Sequence, residues 1–425
     1  MHPALAKFAR RFVMCVALSG AAAAQLPVPQ VQLPQLPVPR APLPGVQDVT
    51  RGVGGTLREL SAARALRIER NFREHRAELD RVDDELVVRA EVVAIDITEA
   101  ALANALKADF RVLRAQELAD LGVRITVLQT PGGWSASRGL KRLRKLDPAG
   151  SYDYNHVYLD GGAVDPPVEA RAVDEPGAAG GATRLGLIDG GVDDTHRALA
   201  GIRVHHFGCG GAAVPSAHGT SVASLAVRGS AVNELFAADV YCGAPTGGAI
   251  DAVAAAFGWL ARERVAVINV SLVGPRNALL ERLVQSLVSR GYVVVAAVGN
   301  DGPAAPPLYP ASYDGVVGVT AVDARHRVLI EAGRGKQVDF AALGLEERAA
   351  AAAPDSYAAV RGTSFAAPLV ARLLAAKISV PDTAQRQRAL TELAQTAADL
   401  GAPGRDDVYG AGLVNPPPAA TPPVQ

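Results

Sequence analysis

Between Arg184 and Val322 the chain alternates short, almost wholly apolar stretches with helical ones, and this alternation constrains its fold more than any other feature. The strand-like pieces are RLGLID, IRVHHF, AADVYC, RVAVINVS, GYVVVAAVGN and GVVGVTAV. Helical pieces lie between them, among them HGTSVASLAV, AIDAVAAAFGWLARE and NALLERLVQSLVSR. Strands without polar alternation cannot leave one face in water, so the pattern predicts an α/β fold: a parallel sheet with helices on both faces. In such sheets chemistry gathers just beyond the carboxyl ends of the strands.

Upstream the rhythm differs. ELVVRAEVVAIDI reads as a strand, TEAALANALKADF as a helix capped by Thr98, and RVLRAQEL and RITVLQTP as strands. SASRGLKRLRKLD reads as a helix capped by Ser135, and SYDYNHVYLD ends extended. This strand-helix-strand-strand-helix-strand order is that of a small split βαβ, ferredoxin-like domain over 85–160. A Gly/Pro-containing linker over 161–182 separates it from the main domain at 183–415, and a Pro-rich tail follows at 416–425. Before the small domain, 46–84 is a charged helical segment with Leu57, Leu60, Ile68, Phe72, Leu79 and Val82 near helical spacing. Its arginines alternate with glutamates, which reads as a solvated face.

The Leu-Pro-Val-Pro repeats at 25–45 form an extended spacer. Residues 1–24 place Lys7, Arg10 and Arg11 before an apolar run that closes on small residues through Ala24, the layout of a secretory signal peptide. Export to the periplasm or the medium is therefore expected, with no membrane span once the signal is removed. Cys209 and Cys242 then remain, an even count that reads as a disulfide in an exported chain. Lys plus Arg and Asp plus Glu both number 43, so no nucleic-acid partner is called for. No metal site is expected at His205, His206 and Cys209, because adjacent strand residues point to opposite faces.

Three short segments carry the chemistry. Asp189 ends the strand in LGLIDGGVDD, His218 opens the helix in SAHGTSVAS, and Ser364 opens another in RGTSFAAP. Taken singly, these are a strand-end turn residue, a helix cap or core histidine, and a helix cap. Together, in this order, they resemble the catalytic Asp, His and Ser of the subtilisin-like serine proteases, or subtilases; subtilisin's own chain order is a standard example of the triad. VVVAAVGNDGP resembles that family's oxyanion stretch, with Asn300 as donor. INVSLVGP resembles its substrate-binding strand, and YGAGLVNPPPA its domain end. Asn269, at the end of its strand, reads as a structural hydrogen-bonder.

The resemblance, over Thr183 to Asn415, implies a sheet of about seven strands. It also implies a serine endopeptidase acting through an acyl-enzyme on peptide or protein substrates. Ser271, Leu272, Val273, Gly274 and Gly299 would line the substrate site, with Leu308 at the pocket floor favouring small or medium apolar residues before the scissile bond. Asp301 at the rim could instead recruit a basic residue. The small domain resembles the family's propeptide, a folding aid and inhibitor that the enzyme removes from itself by a cut between Tyr158 and Thr183. The strands ending near Cys209 and Cys242 are neighbours in the family's sheet, which suits a bridge. The segment after His218 has few oxygen ligands, so no calcium is expected there, and no cofactor is called for. Gly190 stands where the family has a hydroxyl residue, and Ser221 and Ser224 where it has His and Gly. These departures bear on rate, since the reacting groups remain. Two other readings stay open: a catalytically weak subtilisin-fold binding protein, and a stalked interaction module.

Overall fold

A helix over 63–74, α1, opens the described part of the chain and sets Ile68 and Phe72 against Leu79, Leu86, Val88 and Val157. It stops well short of Val82. Strand β1 (Leu79–Val82) pairs with β2 (Glu85–Ile95) through a two-residue turn in which Asp83 and Asp84 have φ of 48° and 61°. Two consecutive left-handed residues make the tight hairpin whose twist matches its strands. Leu79 and Val82, which helical spacing placed on the α1 stripe, therefore stand on a strand. The computed structural model describes residues 63–164, 168–169, 183–352 and 356–414. The signal-like run, the Pro-rich spacer, the Pro-rich tail, and Leu57 and Leu60 lie outside the described residues.

The small sheet then follows the order read from the sequence. Helix α2 (Glu99–Lys107) is capped by Thr98, which accepts from the N–H of Ala101 at 3.2 Å. After β3 (Arg111–Leu118) and β4 (Val123–Gln129), α3 (Ala136–Leu146) is capped by Ser135, and β5 (Ser151–His156) returns beside β2. All pairings are antiparallel, in the order β1-β2-β4-β3 with β5 on β2. One face buries Val92, Ala94 and Leu128 under α2 and α3. The other presents Val93, Ile95, Ile125 and Val127 to the main body.

The end of the small domain and the described parts of the expected linker both lie in contact with the main domain. Short strands β6 (Leu159–Asp160), β7 (Ala163–Val164) and β8 (Val168–Glu169) each pair with the main domain. Gly161 and Gly162, between β6 and β7, allow close backbone approach, and the strands that β6, β7 and β8 join have free edges there. Local composition cannot distinguish this from a loose linker.

The main domain runs β9 (Thr183–Asp189), β10 (Arg203–Phe207), α4 (Ala217–Val227), β11 (Val232–Asp239), α5 (Ile250–Arg262) and β12 (Val267–Val270). It continues with β13 (Leu272–Val273), α6 (Ala278–Ser289), β14 (Val293–Ala297), β15 (Val317–Val322) and β16 (Phe340–Leu343). The hairpin β17 (Leu345–Ala350) and β18 (Ser356–Arg361) leads to α7 (Thr363–Ala375) and α8 (Thr383–Thr396). Seven strands form one parallel sheet in the order β10-β11-β9-β12-β14-β15-β16. Strand β16, which follows no long apolar run, completes the number.

Alternation along β14 explains why its sequence is apolar throughout. Val293, Val295 and Ala297 enter the core under α4 and α7, while Val294 and Ala296 enter the core under α5 and α6. The small sheet presses its free face onto that second pair of helices. Arg114 of β3 pairs with Asp251 in the first turn of α5 at 2.5 Å, and Asp153 of β5 accepts from the N–H of Ala278, the first residue of α6, at 2.7 Å. Both carboxylates lie in the positive field of a helix N-terminus. Cys209 and Cys242, each just past a strand end (β10 and β11), are joined by a disulfide.

Candidate active site

The carboxyl ends of β9, β12 and β14 and the N-termini of α4 and α7 converge on one place. Asp189, the last residue of β9, is 1% exposed. Its Oδ1 accepts from the Nδ1–H of His218 at 2.8 Å and from the N–H of Gly190 at 2.6 Å. Its Oδ2 is buried without a hydrogen-bond partner among the described residues. A side chain at position 190 would meet the Ser216 hydroxyl, which caps α4 by accepting from the N–H of Gly219. Gly190 thus leaves room for a cap, and a carboxylate oxygen goes without a neighbouring hydroxyl.

His218 is the second residue of α4. Burial pulls its pKa down, but the charge and hydrogen bond of Asp189, with help from Asp160 and the Gly161 carbonyl, outweigh it and raise it to about 9. Burial likewise pushes the Asp189 carboxyl up, against the pull of His218. The imidazolium is accordingly the form held here, its Nε2–H donating to the carbonyl of Gly161 at 2.5 Å.

Ser364 is the second residue of α7, after Gly362 at the cap, so its N–H has no acceptor within the helix. Its Oγ donates to the Ser271 carbonyl at 3.4 Å. Pro368 lies further into α7 than the first turn, where its missing N–H would ordinarily serve the carbonyl of Ser364. The Ser271 hydroxyl donates to that carbonyl instead, at 3.1 Å, and accepts from Asn269 at 2.8 Å. Asn269 is the structural hydrogen-bonder its position suggested, and what it holds is the helix that carries Ser364.

Asn300 accepts at Oδ1 from the N–H of Thr363 at 2.9 Å, which turns its Nδ2 into the cleft. That amide is buried and has no partner among the described residues. It lies so near Gly161 that a Cβ there would be 3.0 Å from Nδ2 and 2.9 Å from Ser364 Oγ. An unspent buried donor beside a carbonyl is an arrangement suited to receiving an oxyanion.

Residues 158–164 fill the cleft. Leu159 and Asp160 pair antiparallel with Val273 and Leu272, and Ala163 and Val164 with Arg361 and Val360. The peptide bond between Gly161 and Gly162 is thereby set among His218, Ser364 and Asn300. Gly362, at φ 138°, makes room for it: a Cβ there would meet Gly162 Cα at 2.7 Å. From α1, Arg67 donates to the Asp160 carbonyl at 3.1 Å, and Arg64 reaches Asp301 at 3.1 Å and Glu85 at 2.7 Å. Sequence reasoning put a cut in the stretch from Tyr158 onward but singled out none of Gly161, Gly162, Arg64 and Arg67 as parts of this site, because glycine pairs and arginines on a charged helix carry no distinctive local signal.

Ser221 and Ser224 have a structural task. The Ser221 hydroxyl donates to the Ala350 carbonyl at 2.8 Å, and Ser224 Oγ accepts from the N–H of Ala350 at 3.1 Å, pinning α4 to β17. His205 stacks on Phe236 at 4.3 Å, while His206 meets Asp194 at 3.0 Å, so the two rings serve different neighbours.

A doubly covered parallel sheet that gathers an ionised Asp–His pair, a helix-borne serine and an unspent amide around a peptide carbonyl is the framework of a serine endopeptidase. The chain belongs to the subtilase family, whose model matches residues 180–412. It is 33% identical over 295 residues to an alkaline protease of Alkalihalobacillus alcalophilus, covering 64% of this chain and 74% of that one. It is 30% identical over 264 residues to subtilisin DY of Bacillus licheniformis, covering 59% and 95% of the respective chains. Fervidolysin from Fervidobacterium pennivorans, a keratinolytic enzyme related to subtilisin, shares the fold with a TM-score of 0.64 at 20% identity. That match covers 79% of this chain and 61% of fervidolysin.

Proposed function

We propose that this subtilase is exported and made as a proenzyme that cuts itself once, at the Gly161–Gly162 bond, using Asp189, His218 and Ser364 with Asn300 as oxyanion donor. The observation that carries the reading is the Gly161 carbonyl, which lies against His218 Nε2 beside Ser364 Oγ and the unspent Nδ2 of Asn300. The held state is inert because the imidazolium spends its Nε2 proton on that carbonyl. When the proton leaves, Nε2 takes the Ser364 hydroxyl proton and Oγ bonds to the Gly161 carbonyl carbon. The oxyanion falls to the Ser364 N–H and Asn300 Nδ2. His218 then returns the proton to the nitrogen of Gly162, the C–N bond breaks, and water, deprotonated by the same imidazole, releases Gly161 as a carboxylate.

Once cut, the small sheet domain stays on α5 and α6 as an inhibitor, and the mature enzyme hydrolyses peptide or protein substrates. Export rests on the charged, apolar and small-residue layout of residues 1–24 and on the disulfide. Among the described residues no helix is long and apolar enough to cross a membrane.

The test is the mass and N-terminal sequence of the chain from a protease-deficient host, beside Ser364→Ala and His218→Ala. Wild type yields a new N-terminus at Gly162 and both variants stay whole. The same cut in Ser364→Ala would sink self-processing. Fluorophosphonate labelling that is lost in Ser364→Ala tests the catalytic assignment separately, and its absence in wild type would favour a binding protein.

A further inference from the structure

The residue most completely enclosed by the cleft is neither Gly161 nor its immediate neighbours. It is Tyr158, three positions earlier and 0% exposed. Its backbone is held on both sides: its N–H donates to the Gly248 carbonyl at 2.8 Å, and its carbonyl accepts from the Tyr241 hydroxyl at 3.1 Å. Its ring lies on Gly274, where a Cβ would come within 2.5 Å of Cδ1. At the far end its phenol donates to the Pro275 carbonyl at 2.6 Å. A phenylalanine would fill the same volume and leave that buried carbonyl without this donor, the circumstance in which a site discriminates strongly against a substrate lacking one hydroxyl.

The two positions flanking the bond are narrow in a different way. A Cβ at Gly161 would stand 2.9 Å from Ser364 Oγ and 3.0 Å from Asn300 Nδ2, so a larger residue displaces the groups that react. Behind them Leu308, 4% exposed, packs against Gly299, where a Cβ would meet its Cδ1 at 2.6 Å. Gly162 has φ of 95°, and a Cβ there would meet Phe365 at 2.7 Å and the Arg361 carbonyl at 2.9 Å. By contrast, Leu159 is half-buried and the Asp160 side chain is exposed.

We propose that this protease selects peptides of the form Tyr-Xaa-Xaa-Gly-Gly and cuts between the glycines, the phenol being read by the Pro275 carbonyl over Gly274. This deepens the function proposed above and rests on it. The pattern occurs once in the sequence, at Tyr158, so an enzyme with this preference cuts its own chain once. Phe-Gly-Cys-Gly-Gly at 207–211 is the near miss that lacks the phenol.

The test uses the processed protein and quenched fluorescent decapeptides spanning Asn155 to Val164, with single changes. Replacing Tyr by Phe is expected to lower kcat/KM roughly tenfold or more, and by Ala roughly a hundredfold. Leu in place of either glycine is expected to abolish cleavage, while changes at the two Xaa positions cost less than about threefold. Gly274→Ala, whose methyl group occupies the place of the ring, should lose the Tyr preference and cleave the Ala peptide relatively better. Its retained fluorophosphonate labelling would establish that it is folded. Labelled enzyme that cuts the Phe peptide as fast as the Tyr peptide, accepts Leu at either glycine, or leaves the Tyr peptide whole overturns the selectivity and leaves the catalytic assignment standing. Wild-type enzyme that is not labelled at Ser364 overturns both.

Discussion

Replacing Ser271 by Ala removes one oxygen from the interior beneath Ser364. The residue is fully buried, and its Oγ both donates to the Ser364 carbonyl and accepts from Asn269 Nδ2. In most helices the N–H four residues on would serve that carbonyl, but here the fourth residue is Pro368. The variant therefore strands a buried carbonyl and a buried amide N–H, each costing about 1–3 kcal/mol, so the expected loss is about 2–6 kcal/mol. The stranded carbonyl also predicts a partner. Pro368→Ala restores an N–H aimed at Ser364 O, so in the Ser271→Ala background it should recover about 1 kcal/mol relative to its effect alone. Asn269 stays unsatisfied, so recovery is partial. The cycle is best measured as urea unfolding in the Ser364→Ala chain, which cannot cut itself. A Ser271→Ala loss below about 0.5 kcal/mol, or additivity of the two changes within that margin, would refute the account of how a proline is tolerated four residues after Ser364.

Self-cleavage in the intact chain should rise with pH through about 9, since His218 must lose its proton and Asp160 and Gly161 help hold it; once the segment leaves, the limb for an external peptide should fall lower. Processing rates and peptide hydrolysis followed from about pH 6 to about 10 check this, and coincident limbs would contradict it. Arg64→Ala leaves the largely buried Asp301 without its cation, so activity on an external peptide should appear sooner after processing, with a smaller difference at high salt. Replacing Cys209 and Cys242 by Ser opens a loop with a sequence separation of 33 and should cost roughly 3–4 kcal/mol in the chain-entropy model, read as a lower urea midpoint of the Ser364→Ala chain.

The sequence by itself determined most of the sheet and helix elements and brought out the residues proposed to react. Uniformly apolar strands can be satisfied only between two covered faces, and the alternation of β14 between two cores is that requirement met. Thr98 and Ser135 cap their helices through bonds to N–H groups three residues on, a range any local reading spans. Asp189, His218 and Ser364 stood out because their order and surrounding residues are chemically distinctive. The tertiary structure decided what those groups face. The Ser271 hydroxyl lies 93 positions from the carbonyl it serves, and His218 lies 57 positions from the carbonyl it touches. Tyr158 donates to a carbonyl 117 positions on. Gly161 and Gly162 read as a loose linker because glycine has no side chain to declare a partner, and the same absence lets them lie against Ser364, Asn300 and Phe365. Periodicity and capping are written within a few residues of chain, whereas a cleft exists only after distant strands and helices have packed.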